Sequence, residues 1–461
     1  MSRKVLIIGL DCAEPSLAFE AYAHEMPALR SLRGAGCWGP LRSTLPPITV
    51  PAWTSMVSGY DPGELGLYGF RDRRPGTYAY DYASSLSVRV PRLWDLLGRQ
   101  GRRSLVFAVP PTYPPPSEMS GALVSCFLTP DAGRGFTFPP ALREELHRRF
   151  GPYIVDVEDF RTDDKPSLLQ RIRRMTDQHF RMAQWMMKTF PWDLFMMVDM
   201  GLDRFHHGFW KCIDPRHPRY LRGNPFEGEG AAYYGMLDGW IGRLVDEAPR
   251  DTAVIVVSDH GAKRLLGGVG VNEWLLREGY LKLRGRAPSA ATPLSDLEID
   301  WKRTRAWGEG GYCGRIHLNV RGREPQGIVS PGRDMENLLE EIAQALGGMK
   351  DASGRVIGTR ALRAGDIYRS VQGHPPDLLV LLGNLDYRGV GSVGLGGVLT
   401  HETDMGPDDA NHDFDGILVM SGDGVPAGGR LSGAAIYDIA PTVCKLLDVP
   451  YNEPTMANVL L

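Results

Sequence analysis

The sequence predicts an α/β fold: a mostly parallel central sheet with helices on both faces. Three observations carry this. Short, almost wholly apolar runs occur at 5–10, 104–109, 193–198 and 253–257, and β-branched residues are frequent in the first and last. Helix-like patterns fill stretches between them, notably 168–188 and 233–246. Apolar strands that alternate with helices belong to parallel sheets covered on each side. Acidic and imidazole side chains also crowd just past the runs: Asp11, Asp199, Asp203, Asp259 and His260. In such sheets ligands collect in the crevice beyond the carboxyl ends of the strands.

Each element follows in chain order. The run at 5–10 ends at Asp11 and is followed by no small-residue cleavage site, so it reads as a buried strand rather than a leader. No stretch approaches ~18 consecutive apolar residues, and no membrane span is expected. Pro-rich segments at 109–116 and 137–140 are expected to be loops around a site. From 267 to 373 the pattern is less regular, with a strand-like piece at 315–320, one helix at 335–346 and many Gly. This segment is expected to form a smaller inserted α+β cap subdomain. The main core is then 1–266 and 374–461, with buried strands resuming at 377–382 and 416–420 and a closing helix at 436–447.

Composition narrows the partners. Fifty-two basic against 55 acidic residues give a net charge of −3, which excludes a strongly basic nucleic-acid binder. The six Cys, at 12, 37, 126, 212, 313 and 444, contain no C-x-x-C pair. They form neither a disulfide framework nor a zinc knuckle, and a reduced, cytoplasmic protein is expected. The sequence does not write the oligomeric state.

Five features can carry chemistry. Asp11 directly follows a strand and reads equally as a ligand or as a helix N-cap. Asp203 and His207 are four apart; on a helix they share a face and can hold one metal, or they are a surface pair. His206 then points elsewhere. Ser258-Asp259-His260-Gly261 follows the run at 253–257, where Asp259 and His260 can reach one ion as the chain turns at Gly261. His412 precedes another apolar run and could supply a last nitrogen ligand, with His401 as its rival. Thr49 lies at a Pro-containing helix start, near positive backbone N–H groups, and reads as a nucleophile or as a plain N-cap. Together these suggest two sites for divalent ions, Zn²⁺ or Mn²⁺ by ligand type. Two such ions about 4 Å apart clamp a phosphoryl group during in-line displacement.

In this order the motifs resemble the alkaline phosphatase superfamily, and within it the type I phosphodiesterase/nucleotide pyrophosphatase branch. The resemblance runs through Gly9-Leu10-Asp11, Thr49-x-Pro51 with Ser58-Gly59, and Asp203-x-x-x-His207. It continues with Ser258-Asp259-His260-Gly261, His412 and the closing Tyr437-Asp438-Ile439-Ala440-Pro441-Thr442. It implies an alkaline phosphatase-like fold. It also implies that Asp203, His207 and His412 hold one ion, while Asp11, Asp259 and His260 hold the other together with the Thr49 oxygen. Thr49 would attack phosphorus and form a transient phosphothreonine, which water activated at the first ion would release.

Departures from the family pattern bear on substrate. The nucleotide pyrophosphatases place a phosphoryl-binding Asn three residues after the nucleophile, where this chain has Ala52. Thr49 and Trp53 do not fit the C-x-P-x-R pattern of sulfatases. No Arg stands near the nucleophile to favour monoesters, although Lys263 or Arg264 could replace it. Trp53, Tyr60, Tyr68 and Phe70 either stack a substrate ring or pack under the nucleophile helix. The stretch 121–130 resembles a loop of bacterial relatives and is expected near the mouth of the site. The expected activity is phosphodiester or nucleotide-type pyrophosphate hydrolysis on a small-molecule phosphoester. The alternatives are a monoester phosphatase or phosphomutase on the same scaffold, and more remotely a catalytically silent metal-binding protein.

Overall fold

The computed structural model describes residues 3–131, 133–401 and 403–461. Met1 and Ser2, at the head of the stretch read for a leader, lie outside it. Among the described residues nine strands form the central sheet. Their order is Gly429–Arg430, Cys37–Arg42, Asp415–Gly422, Thr252–Val257, Lys4–Leu10, Leu194–Asp199, Ser104–Phe107, Gly121–Val124 and Thr137–Phe138. The five from Thr252–Val257 to Gly121–Val124 run parallel. Every residue of Thr252–Val257, Leu194–Asp199 and Ser104–Phe107 is buried, as a sheet covered on both faces requires. The register sets Leu10 opposite Asp199 and Gly9 opposite Val257, so three strands end at one edge.

Asp415–Gly422 runs antiparallel between Cys37–Arg42 and Thr252–Val257. It starts at the carboxyl edge, directly after Ala410–Asp413, and therefore crosses the sheet in the opposite direction. Ala410–Asp413 itself pairs antiparallel with Gly261–Arg264, which sets His412 opposite Ala262. The helix expected at 168–188 spans Lys165–Thr189. Its start is fixed by Asp164, whose carboxylate accepts the Ser167 N–H, and by a proline in the first turn. No helix among the described residues is long and apolar enough to cross a membrane.

A second, antiparallel sheet has the order Ala306–Glu309, Gly314–Leu318, Leu378–Leu381 and Arg360–Leu362. It packs with Arg333–Gly347 around its own apolar cluster, which includes Trp274, Leu275, Ile316, Leu338 and Ile342. The run at 377–382, expected to resume the main core, is the third strand of this sheet. The expected boundary at 373/374 therefore cuts through the small sheet. A short apolar run specifies burial but not which sheet it joins.

Candidate metal centre and nucleophile

Six of the expected ligands converge into two groups at the carboxyl edge: Asp11, Asp259 and His260, and Asp203, His207 and His412. Within each group one ligand atom per residue lies within 4.8 Å of the others. All six residues are buried. Asp203 and His207 lie on the helix Gly201–Ile213, one turn apart, with His207 Nε2 3.3 Å from Asp203 Oδ1. His412 Nε2 is 3.6 Å from the same oxygen. In the other group His260 Nε2 is 3.2 Å from Asp259 Oδ2 and 3.7 Å from Asp11 Oδ1. Ligand atoms held about 2.0–2.1 Å from a tetrahedral ion stand about 3.3 Å apart, the spacing seen here.

Second partners fix which atoms face inward. Each imidazole donates its Nδ1–H to an oxygen: His207 to Asp408 at 2.7 Å, His260 to the Gly261 carbonyl at 3.0 Å, and His412 to the Pro47 carbonyl at 2.8 Å. Every Nε2 is thereby turned towards the centre. Trp53 donates its indole N–H to Asp11 Oδ2 at 2.6 Å, and the Cys12 N–H is donated to Asp259 Oδ1 at 3.2 Å. Among the described residues the inward atoms Asp11 Oδ1, Asp259 Oδ2, Asp203 Oδ1, His207 Nε2 and His412 Nε2 have no hydrogen-bond partner. Buried polar atoms are rarely left so. Orphaned anionic and imidazole atoms aimed at two points fit a pair of divalent cations.

The charges are tuned accordingly. Burial pushes the Asp11 carboxyl well above the usual range, with the Asp203 charge adding to the effect. Burial and the Asp11 charge do the same to Asp259. Burial lowers His260 to about 4, and burial with His260 holds His412 well below its ordinary value. Burial acts against the charge on Asp203 too, but His207 and Arg204 prevail and hold it well below the carboxylate range. Burial also disfavours protonated His207, yet the Asp408 carboxylate wins and raises it. Without cations, then, Asp11 and Asp259 keep protons that the unfolded chain would have released. Raised carboxyl values give stability that is present at acid pH and lost as pH rises through them. A bound cation would replace those protons. The melting temperature should therefore rise more on adding Zn²⁺ or Mn²⁺ at pH 8 than at pH 5, by scanning calorimetry. An equal gain at both would exclude proton–metal exchange at Asp11 and Asp259.

Thr49 is the first residue of the helix Thr49–Ser58; Ile48 is the N-cap and no side chain caps this end. Thr49 is therefore no capping residue. Its Oγ1 lies 3.4 Å from His260 Nε2. Trp53, one turn on, ties the same helix to Asp11. The other sequence candidates separate cleanly. His206 faces the Tyr234 hydroxyl at 3.2 Å, and burial lowers it to about 3. His401 is exposed, so His412 is the histidine that reaches Asp203. Asp199 binds His179 and Thr176 instead of joining either group. Lys263 is held by Asp386 at 2.9 Å, and neither it nor Arg264 lines the cavity described below. Gly261 makes no left-handed turn. It is needed because a Cβ there would sit 2.2 Å from the Asp415 carbonyl oxygen. Of the four aromatics, Trp53 and Tyr68 are core, Tyr60 donates to Glu453, and Phe70 reaches the cavity wall. Within 121–130, Gly121–Val124 is a sheet strand, while Phe127 packs on Phe70 at 6.1 Å.

Sequence reasoning missed the second layer. Asp408 accepts from His207 and also from Arg161 Nε at 3.0 Å and Arg388 Nη1 at 2.5 Å. Burial opposes its charge, but His207 and the two guanidiniums hold it far below the carboxylate range. Replacing it with Asn should weaken metal affinity about 10–100-fold. Titration calorimetry reads this, and an unchanged affinity would reduce Asp408 to an ion-pair partner. Arg204, beside Asp203 in sequence, donates to Asp203 and to both oxygens of Asp156. Arg161, Arg204, Arg388 and Tyr312 line a cavity of about 910 Å³ that extends to Tyr78 and Trp301, stacked at 3.6 Å.

Comparison with known proteins places the chain in a family. A family model described as type I phosphodiesterase / nucleotide pyrophosphatase matches residues 5–388. No curated protein sequence matches the chain. Among solved structures it is similar to an inactive threonine-to-alanine variant of murine ectonucleotide pyrophosphatase/phosphodiesterase 5 in complex with AMP. The TM-score is 0.58 at 12% identity, covering 99% of this chain and 97% of that one. The human protein of the same name gives a TM-score of 0.55 at 12% identity, covering 99% and 97%. The chain belongs to the type I phosphodiesterase / nucleotide pyrophosphatase family and is a hydrolase of that type.

Proposed function

We propose that the protein is a two-metal phosphohydrolase that cleaves phosphodiester or nucleotide-type pyrophosphate bonds through a phosphothreonine on Thr49. The observation that carries this is the set of orphaned, buried ligand atoms in two groups beside the Thr49 hydroxyl. Asp11, Asp259, His260 and the Thr49 oxygen would hold one ion, and Asp203, His207 and His412 the other, with Zn²⁺ and Mn²⁺ both suited to these ligands. Bound ions would polarise the phosphoryl oxygens and ease ionisation of the Thr49 hydroxyl. As the Oγ–phosphorus bond forms, the bond to the leaving oxygen breaks. The hydroxyl proton passes to solvent, and the leaving oxygen takes one up. Water then attacks phosphorus, the Oγ–phosphorus bond breaks and Thr49 regains its proton. Trp53 holds Asp11 in line with the helix that presents Thr49, and Asp408 orients His207.

The murine neighbour, inactive with alanine in place of a threonine and holding AMP, supports an essential threonine and a nucleoside phosphate as a ligand class. The stacked Tyr78–Trp301 wall suits a substrate arm bearing a ring. The six cysteines, all free and buried, suit a reducing cytoplasm. Arg161, Arg204 and Arg388 favour a second reading, a monoester phosphatase, because a monoester carries more charge. Each of these arginines already faces a carboxylate, which offsets it. The test is kcat/KM of Zn²⁺- and Mn²⁺-reconstituted protein on bis-p-nitrophenyl phosphate against p-nitrophenyl phosphate. A diester preference is expected. A monoester preference would shift the assignment to the second reading, and no turnover of either ester with either ion would overturn the proposal.

A further inference from the structure

Three residues beyond Thr49 the nucleophile helix carries only the buried methyl of Ala52 and offers no side-chain donor to a phosphoryl oxygen there. Tyr312 offers one. It lies in the turn between Ala306–Glu309 and Gly314–Leu318 and reaches the centre from the small sheet. Its ring stacks on His412 at 3.6 Å and 22°, with the His207 ring 5.3 Å away. Its carbonyl accepts from Asn411 Nδ2 at 3.1 Å, the residue beside His412. The Arg388 guanidinium stands 4.8 Å from the ring centroid. Arg161 Nη2 donates to the phenol oxygen at 3.5 Å. The phenol's own proton goes to no protein acceptor among the described residues, although Tyr312 is only 8% exposed. A buried tyrosine ordinarily finds a partner for its O–H. Here the hydroxyl is polarised from one side by a guanidinium, and it borders the cavity with its proton unspent.

We infer that Tyr312, polarised by Arg161, donates a hydrogen bond to a non-bridging oxygen of the transferred phosphoryl group. The inference rests on the hydrolase reading above. Tyr312 keeps its proton throughout, so no bond to hydrogen breaks. A preorganised donor of this kind, aimed where negative charge develops, is worth about 10²–10³-fold in kcat.

The test is Tyr312→Phe, which retains the ring on His412 and removes only the hydroxyl. Metal content, steady-state kinetics on bis-p-nitrophenyl phosphate and orthovanadate affinity by calorimetry are compared with wild type. Metal content should be unchanged, kcat should fall about 10²-fold with little change in KM, and vanadate should weaken in parallel. Tyr312→Leu, which also removes the ring, should in addition weaken metal binding through His412. Wild-type kcat and vanadate affinity in Tyr312→Phe would overturn the inference. So would loss of metal in that variant, which would mean that Tyr312 acts through His412. If wild-type protein hydrolyses no phosphoester, the hydrolase reading fails on its own. Vanadate binding then still decides the role of Tyr312: equal affinities, or no binding by either protein, overturn it.

Discussion

Thr49→Ala should abolish turnover, with kcat down at least ~10⁴-fold, while the chain stays folded and keeps at least one ion. The hydroxyl is expendable to the fold. Ile48, not Thr49, is the N-cap, and among the described residues the one polar approach to Oγ1 is that of His260 at 3.4 Å. The lost atoms should cost about 1 kcal/mol of stability. The five orphaned inward atoms belong to other residues, so the metal groups survive. Thr49→Ser, which restores a hydroxyl at the same backbone position, should recover much of the activity. The measurement is kcat on the preferred ester beside metal content and circular dichroism. Near-normal turnover by Thr49→Ala would remove the phosphothreonine.

The second large effect is expected at Asp259. Asp259→Ala should lower bound metal from two ions per chain to one and lose activity. Its affinity loss should exceed the about 10–100-fold expected for an outer partner such as Asp408. The same change should act oppositely on the metal-free protein. Burial makes a charged Asp259 costly, and Asp11 adds like-charge repulsion. Metal-free Asp259→Ala should therefore melt above metal-free wild type at pH 8, while metal-loaded wild type melts above both. This inversion marks a site whose charge is tolerated for function. A metal-free variant no more stable than wild type would show that the carboxyl is satisfied without a cation. His412→Ala should lose metal in the same way and His401→Ala should not, since only His412 faces Asp203.

Much of this site was legible because it follows strand ends. An apolar run that stops at Asp11, and another that stops at Ser258-Asp259-His260, leave little else for buried polar side chains to do. The four-residue spacing of Asp203 and His207 became a shared helix face. His412 could be separated from His401 because an apolar strand follows it and carries it into the interior. What stayed hidden depends on three-dimensional pairing. Asp408 sits in an acidic turn that looks solvated, and only the fold sets it against His207. Tyr312 is flanked by glycines and a cysteine, with no periodicity to mark it. Arg161 and Arg388 lie far from the motifs in sequence. The direction of Asp415–Gly422 and the sheet joined by Leu378–Leu381 depend on where the chain enters, which an apolar run does not encode.

Asn411 has a consequence for how this scaffold can be re-engineered. Its buried amide nitrogen serves three carbonyls, of Tyr312 at 3.1 Å, Leu385 at 2.9 Å and Tyr387 at 3.2 Å. A graft that fails to present these oxygens strands buried polar groups at about 1–3 kcal/mol each. It also displaces the strand that carries His412. The small-sheet segment is therefore a poor interchangeable cassette. Variation in substrate range is cheapest on the distant wall at Tyr78 and Trp301, where side chains can change without unseating a ligand. Libraries that keep 311–313 and 385–387 fixed and vary that wall should yield folded, metal-competent proteins far more often than whole-segment swaps.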